Sequence, residues 1–140
     1  MKETDRSVNL SLLLKAAAVK RFVGSQDRNI RSIHYDSRNV APGGLFVAIP
    51  GHRCDGHTYI AEAVERGAVA VVTEKEWLGP SSVSVAQVEN ARFALAASSS
   101  VFFGEPFREL CVVGITGTNG KTTTAYLVES ILTANGHKVG

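Results

Sequence analysis

A lysine and a threonine that directly follow a short glycine-containing loop give the sequence its clearest chemical pattern. Residues 117–122 read Gly-Thr-Asn-Gly-Lys-Thr and separate an apolar segment from one with helical periodicity. In such a loop, backbone N–H groups and the helix dipole attract phosphate, Lys121 reaches the β- and γ-phosphates, and the Thr122 hydroxyl ligates Mg²⁺. The pattern predicts ATP and Mg²⁺ as ligands, Lys121 as the catalytic residue and Thr122 as the metal ligand. The predicted nucleotide-binding residues are Gly117, Thr118, Asn119, Gly120, Lys121, Thr122 and Thr123.

The spacing of this loop departs from the usual one. Ile115 occupies the position of the first glycine in the common Gly-x-x-x-x-Gly-Lys loop, and Gly117 replaces it two residues later. A strand–helix turn that binds nothing is the structural alternative, but Gly-Lys-Thr after a buried strand favours nucleotide binding. Kinases, hydrolases and ligases share such loops, so the loop alone leaves the reaction type open.

Alternating apolar strands and amphipathic helices should position this loop. Apolar runs predict strands at residues 29–35, 45–49, 68–72, 82–85 and 110–115, the last of them strongly buried. Helical periodicity, capping residues and glycines predict helices at residues 8–18, 58–66 and 122–134, and a further helix that Asn90 caps and that ends at Gly104-Glu105-Pro106. The order of these elements predicts an α/β fold. We place a domain boundary near residue 88.

Composition excludes several classes of protein. A formal net charge of +2 on 140 residues does not favour nucleic acid or anionic membranes as partners. No apolar run approaches the roughly 20 residues that span a bilayer, and the N-terminus lacks the features of a signal peptide. Two cysteines far apart in the sequence form no disulfide framework. We therefore expect a cytoplasmic protein with reduced thiols that binds neither nucleic acid nor membrane.

Several upstream segments accompany the loop in a fixed order. They are Tyr-Asp-Ser-Arg at residues 35–38, Pro-Gly-Gly-Leu-Phe-Val-Ala at 42–48, Gly-His-Arg-Cys-Asp-Gly-His at 51–57, and Gly-Ala-Val-Ala-Val-Val at 67–72. Together with the variant loop, this pattern resembles the Mur ligase family, the ATP-dependent amide-bond-forming enzymes of peptidoglycan precursor synthesis. The resemblance covers about residues 30–135, nearly the whole chain.

The resemblance implies two domains and two nucleotide sites. Residues 1–88 would form a small N-terminal α/β domain that binds a UDP substrate, and residues 89–140 the beginning of a P-loop ATPase-type α/β domain that the chain does not complete. Tyr35 and Ser37 would contact the uridine, and His52, Arg53 and Cys54 the uracil and diphosphate side.

The implied reaction joins a diamino acid to UDP-N-acetylmuramoyl-L-alanyl-D-glutamate through an acyl phosphate. The sequence leaves the identity of the diamino acid open. We expect a monomer whose 140 residues are the front part of a longer enzyme and have no ligase activity alone. Two alternatives remain: the family branch that adds D-Ala-D-Ala, and a nucleotide-binding module without catalysis.

Alternative roles compete with the predicted ones at several of these positions. Asp36 and Arg38 could pair to hold a turn, and Asp55 before a glycine is more typical of a turn than of a catalytic acid. His52, Cys54 and His57 have the spacing of metal ligands, but no fourth ligand is evident, which disfavours a metal site.

Overall fold

The computed structural model describes residues 6–51 and 54–140. The chain divides into two compact units, an N-terminal unit of Met1–Pro106 and a C-terminal unit of Phe107–Gly140. No helix among the described residues is long and apolar enough to cross a membrane.

A five-stranded sheet organises the N-terminal unit. Its strands are β2 (Val19–Val23), β4 (Ser32–His34), β5 (Gly44–Val47), β6 (Ala68–Thr73) and β7 (Ser84–Val88), in the order β2-β7-β6-β5-β4. Strands β7, β6, β5 and β4 run parallel to one another, and β2 pairs with β7 in the antiparallel sense. A short antiparallel pair, β1 (Val8–Asn9) with β3 (Asn29–Ile30), stands apart from this sheet. The predicted α/β fold class is confirmed.

Helices cover both faces of the sheet, because alternate side chains of its strands point to opposite sides. Leu45 and Val47 of β5 pack on the face that also buries α1 (Leu10–Lys15) and α3 (Ala91–Phe102). Phe46 and Ala48 pack on the other face with α2 (Ile60–Glu65). Strands β5 and β6 are therefore apolar along most of their length, as expected for a parallel sheet buried on both sides.

Asparagine side chains begin two of these helices. Asn9 accepts a hydrogen bond from the amide of Ser11 at α1, and Asn90 accepts one from the amide of Phe93 at α3, 2.9 Å away in both cases. Such caps satisfy N–H groups that have no partner inside the helix. Below its cap, α3 places Ala91, Ala94 and Phe102 in the core.

The C-terminal unit contains one α-helix, α4 (Lys121–Ala134), within its described residues. The strand predicted at residues 110–115 is wrong: the segment has no regular secondary structure, and Leu110, Val112 and Val113 are exposed. A β-strand requires a pairing partner, and no described residue pairs with this segment. Cys111, expected in a buried strand, is likewise exposed.

Other element boundaries also differ from the prediction. The strand β2 was missed because a bulge between Val19 and Arg21 interrupts the alternation that identifies a strand. The helix predicted at 8–18 is confined to Leu10–Lys15, and the strand predicted at 82–85 is β7 at Ser84–Val88. The compact units divide after Pro106, not near residue 88, because α3 buries its apolar side in the core of the N-terminal unit.

Candidate functional site

Loops that follow the parallel strands place most of the predicted site residues of the N-terminal unit at one edge of its sheet. The segment beginning at Tyr35 follows β4, the described residues 48–51 and 54–56 follow β5, and Arg92 lies in the first turn of α3 after β7. Open α/β sheets bind ligands at the carboxyl ends of their strands. This edge is therefore where the fold favours a ligand.

A cavity of about 720 Å³ lies at this edge. It takes in Tyr35, Ser37 and Cys54, three of the residues assigned to UDP from the sequence. His52 and Arg53, the other two, lie outside the described residues. The remaining lining residues are Asp36, Arg38, Phe46, Ile49, Gly56, Tyr59, Glu62, Arg92 and Leu95. A cavity of this volume is ample for a small organic ligand.

Ser37 is held by a carboxylate. Its Oγ donates a hydrogen bond of 2.9 Å to Oε2 of Glu62, whose other oxygen accepts from Nε of Arg66 at 3.0 Å. Ser37 is buried, whereas Glu62 is partly exposed. Because an ionised carboxylate only accepts, the Ser37 proton is committed to Glu62 and its remaining lone pairs are free to accept from a ligand.

Asp36 and Arg38 form an ion pair, which agrees with the turn-holding role that their spacing suggested. The guanidinium of Arg38 donates three hydrogen bonds to the Asp36 carboxylate, one of 2.6 Å from Nη2 and two from Nε, at 2.9 and 3.2 Å. These bonds, with one from the Arg38 amide, lower the pKa of Asp36 to about 2, and Asp36 in turn raises the pKa of Arg38. Much of the positive charge of Arg38 is therefore compensated before any ligand arrives.

Asp55 organises the loop after β5. Its carboxylate accepts from the amide and ring of His57 and from Nζ of Lys75, the last at 2.6 Å. Lys75 first and His57 second hold the pKa of Asp55 well below its usual range. The amide of Glu74 donates to Nε2 of His57, so Nδ1 of that ring carries the proton given to Asp55. Asp55 is thus a structural anchor, as favoured from its position before Gly56.

A metal site in this loop is disfavoured by the same contacts, because both ring nitrogens of His57 are engaged by protein groups. Within residues 6–51 and 54–140, no cluster of three or more His, Cys, Asp or Glu side chains could hold a metal ion. Cys54 is a free, exposed thiol.

Arg92 lines the cavity but was not among the site residues predicted from the sequence. Its Nη2 donates to the carbonyl of Pro50 at 3.2 Å, which links α3 to the loop after β5. A signal was available in the sequence: Arg92 follows the capping residue Asn90 directly after a strand, and such positions lie at the carboxyl edge of a parallel sheet. Glu62 was also missed, since nothing in a helical segment reveals which polar residue faces a cavity.

The phosphate loop of the C-terminal unit has the local geometry of an anion site. Gly120 begins α4 with φ of +79°, a conformation that favours glycine. The amide of Thr124 donates to the carbonyl of Gly120, and the N–H groups of residues 121–123 have no partner among the described residues. Nζ of Lys121 lies over the loop, 2.7 Å from the carbonyl oxygen of Gly117. These exposed N–H groups and the Lys121 ammonium can together donate hydrogen bonds to the oxygens of a phosphate group.

Comparison with protein families identifies residues 29–100 as a match to the profile described as "Mur ligase family, catalytic domain". The chain is 43% identical over 128 residues to UDP-N-acetylmuramoyl-L-alanyl-D-glutamate--2,6-diaminopimelate ligase of Alkaliphilus metalliredigens, covering 91% of this chain and 26% of the relative. It is 50% identical over 113 residues to the ligase of the same name from Geobacter sulfurreducens, covering 81% and 22%. The chain thus spans about a quarter of the length of these curated relatives.

Solved structures show the same likeness. The chain matches UDP-N-acetylmuramoylalanyl-D-glutamyl-2,6-diaminopimelate--D-alanyl-D-alanyl ligase of Acinetobacter baumannii with a TM-score of 0.68 and 27% identity, over 92% of this chain and 28% of that one. It also matches the MurF ligase of Thermotoga maritima in complex with ADP, with a TM-score of 0.57 and 32% identity, over 74% and 23%.

Proposed function

Because the chain belongs to the Mur ligase family, we propose that it carries the UDP-substrate site and the phosphate loop of an ATP-dependent peptidoglycan ligase. The ligase joins 2,6-diaminopimelate to UDP-N-acetylmuramoyl-L-alanyl-D-glutamate in the cytoplasm. The choice of amino acid follows the names of the relatives that are 43% and 50% identical to this chain.

The cavity of about 720 Å³ is the observation that carries the proposal. Tyr35 and Tyr59 offer exposed aromatic rings beside it, and Ser37 offers an acceptor. Uracil presents a planar ring and an N3–H donor, so an aromatic face and a hydroxyl acceptor suit it. We assign Tyr35 and Ser37 to the uridine and Cys54 to its neighbouring groups, with His52 and Arg53 as further ligands.

The phosphate loop supports ATP as the second substrate. The unpartnered amides of residues 121–123 and the Lys121 ammonium would bind phosphate oxygens, with Gly117, Thr118, Asn119 and Gly120 completing the loop. The exposed hydroxyl of Thr122 fits a Mg²⁺ ligand, and the ion would neutralise charge on the transferred phosphoryl group.

The reaction proceeds in two balanced steps. A terminal carboxylate of the UDP substrate attacks the γ-phosphorus of ATP, which forms an acyl phosphate and releases ADP. The amine of diaminopimelate then attacks the acyl carbon, phosphate leaves, and the nitrogen loses a proton. Lys121 contributes by offsetting the negative charge of the transferred group.

Binding to the 140-residue chain tests the UDP site. Calorimetric titration with UDP should show saturable binding that Ser37→Ala weakens about 10-fold, consistent with loss of one hydrogen bond. Ser81→Ala, at an exposed serine away from the cavity lining, should leave the affinity unchanged. Absence of UDP binding to the unsubstituted chain would rule out the proposed site.

Turnover by the complete protein tests the ATP site. Lys121→Ala should abolish ATP turnover and leave UDP binding intact, whereas Lys138→Ala should preserve both. Unchanged turnover in Lys121→Ala would refute its role. We also propose that the 140-residue chain alone forms no amide, and amide formation from UDP-dipeptide, ATP and diaminopimelate would contradict this.

The D-Ala-D-Ala-adding reaction is the second candidate, because the solved neighbour from Acinetobacter baumannii is a D-alanyl-D-alanyl ligase by name. Its 27% identity to this chain is below that of the diaminopimelate ligases. Offering the complete protein each amine with its matching UDP precursor would separate the two reactions.

A further inference from the structure

Two arginines line the cavity, Arg38 and Arg92, and their surroundings differ. Arg38 makes two close hydrogen bonds to Asp36. The nearby Arg66 is engaged by Glu62 at 3.0 Å. Arg92 forms no ion pair with any carboxylate of the described residues.

The charges of the described cavity lining therefore leave one cation uncompensated. Asp36 offsets Arg38, and Arg66, just outside the lining, offsets Glu62. A guanidinium carries five N–H donors, and the one contact of Arg92 is from Nη2 to the neutral carbonyl of Pro50. Arg92 retains its charge and most of its donors for an anionic ligand.

The position of Arg92 is fixed by its surroundings. It lies in the first turn of α3, whose beginning is capped by Asn90 and by the carboxylate of Glu74, which accepts from the amide of Ala91 at 2.8 Å. Because the amides of Ala91 and Phe93 already donate to side chains, the N-terminus of α3 offers few free backbone N–H groups to a ligand. The side chain of Arg92 is thus the principal anion-binding group that α3 brings to the cavity.

We propose that Arg92 binds the diphosphate of the UDP group. This inference rests on the proposed UDP site and adds the residue that recognises its charged part. Guanidinium groups bind phosphate oxygens with two parallel hydrogen bonds, which gives both attraction and orientation. The contact with Pro50 orients the guanidinium before the ligand binds, so that less side-chain freedom is lost on binding.

Titration of the 140-residue chain with UDP and with uridine tests the role of Arg92. Arg92→Gln should raise the dissociation constant for UDP about 10- to 100-fold, the range for a charge-assisted hydrogen bond, and leave uridine binding unchanged. Arg92→Lys should recover part of the loss, because it restores the charge without the planar pair of donors. Arg31→Gln removes the same charge from an exposed residue away from the cavity lining and should change neither constant.

Salt dependence gives a second measurement. Raising the salt concentration should weaken UDP binding to the unsubstituted chain more than binding to Arg92→Gln, since ions screen an exposed charge. Uridine binding also shows that each variant is folded. If UDP binds and Arg92→Gln has the same affinity, Arg92 does not hold the diphosphate and the UDP site stands. If neither UDP nor uridine binds the unsubstituted chain, the proposed site itself fails.

Discussion

The two units of the chain treat their apolar residues in opposite ways. In the N-terminal unit, Leu45, Val47 and Val72 are fully buried between a sheet and its helices. In the C-terminal unit, Leu127 and Ile131 of α4 are more than half exposed. Both units nevertheless contain well-formed local geometry, including the glycine that begins α4.

The difference separates two sources of structure. Caps, turns and glycine conformations depend on residues close in sequence, so the phosphate loop forms its geometry without a buried core around it. Strands depend on partners distant in sequence, so residues 110–115 form no strand where no described residue pairs with them. Stability of the described structure should therefore lie mainly in the N-terminal unit.

Replacing one leucine by alanine in each unit should give the largest difference between the units in the free energy of unfolding. Leu45→Ala removes a fully buried side chain of β5 and should lower the free energy of unfolding by about 2–5 kcal/mol. Leu127→Ala changes an exposed residue of α4 and should alter it by no more than about 0.5 kcal/mol. Urea denaturation followed by circular dichroism measures both. Equal losses would show that α4 is packed as firmly as the sheet.

Replacing a glycine of positive φ by alanine in each unit should give a smaller difference in stability between the units. Gly67, at the end of the turn after α2, has φ of +106°, and a Cβ there would lie 2.9 Å from Cα of Pro42. Gly136, after α4, has φ of +83° and no atom within 4 Å of such a Cβ.

Both substitutions strain the backbone by about 1–3 kcal/mol, but Gly67→Ala adds a collision with backbone that cannot move freely. We expect Gly67→Ala to lower the urea midpoint of the sheet, and Gly136→Ala to reduce only the helical signal of α4. A greater loss of midpoint in Gly136→Ala would contradict this order.

Much of the N-terminal unit was predictable from sequence because its signals are local. The apolar strand at 68–72 and the helix beginning after Asn90 agree with β6 and α3. The bulged strand β2 was missed because its alternation is broken between Val19 and Arg21. The strand at 110–115 was predicted from apolar content, which reports a tendency to be buried but not the presence of a partner.

The sequence motifs identified some residues of the site, but the sequence did not show which other residues complete the cavity. Tyr35, Ser37 and Cys54 were selected from the sequence, and the structure brings them to one cavity. Glu62 and Arg92 were missed, because their relevance depends on which side chains meet across elements distant in sequence. Whether Arg38 or Arg92 is the uncompensated cation also depends on pairing, which spacing alone does not reveal.

Lowering the pH should remove a stabilising contribution of the Asp55 carboxylate in the N-terminal unit. Lys75 and His57 hold the pKa of Asp55 below its usual value in the folded chain. A depressed pKa stabilises the fold fully above the unfolded value, and the effect is lost as pH falls through the folded one.

The urea midpoint of the unsubstituted chain should therefore fall below about pH 4, the ordinary range of an aspartate, and approach that of Asp55→Asn, which cannot ionise. Glu65→Gln, at an exposed carboxylate of α2, is the matched control and should keep the acid-dependent fall. Parallel curves for the unsubstituted chain and Asp55→Asn would show that Asp55 contributes nothing to acid sensitivity.

Removal of the whole C-terminal unit should have the smallest effect on the N-terminal unit. The sheet, both core clusters and the cavity use residues that precede Phe107. A chain of residues 1–106 should keep its urea midpoint within the error of measurement and its affinity for UDP within about 2-fold, or about 0.4 kcal/mol.

Hydrogen exchange of the 140-residue chain should agree with this result. Amides in β5 and β6 should exchange slowly, and those at residues 110–115 should exchange fast, because no strand pairing protects them. If the truncated chain unfolds at a much lower urea concentration, the two units are not independent, and the contrast between a self-sufficient sheet and an exposed phosphate-loop segment is wrong.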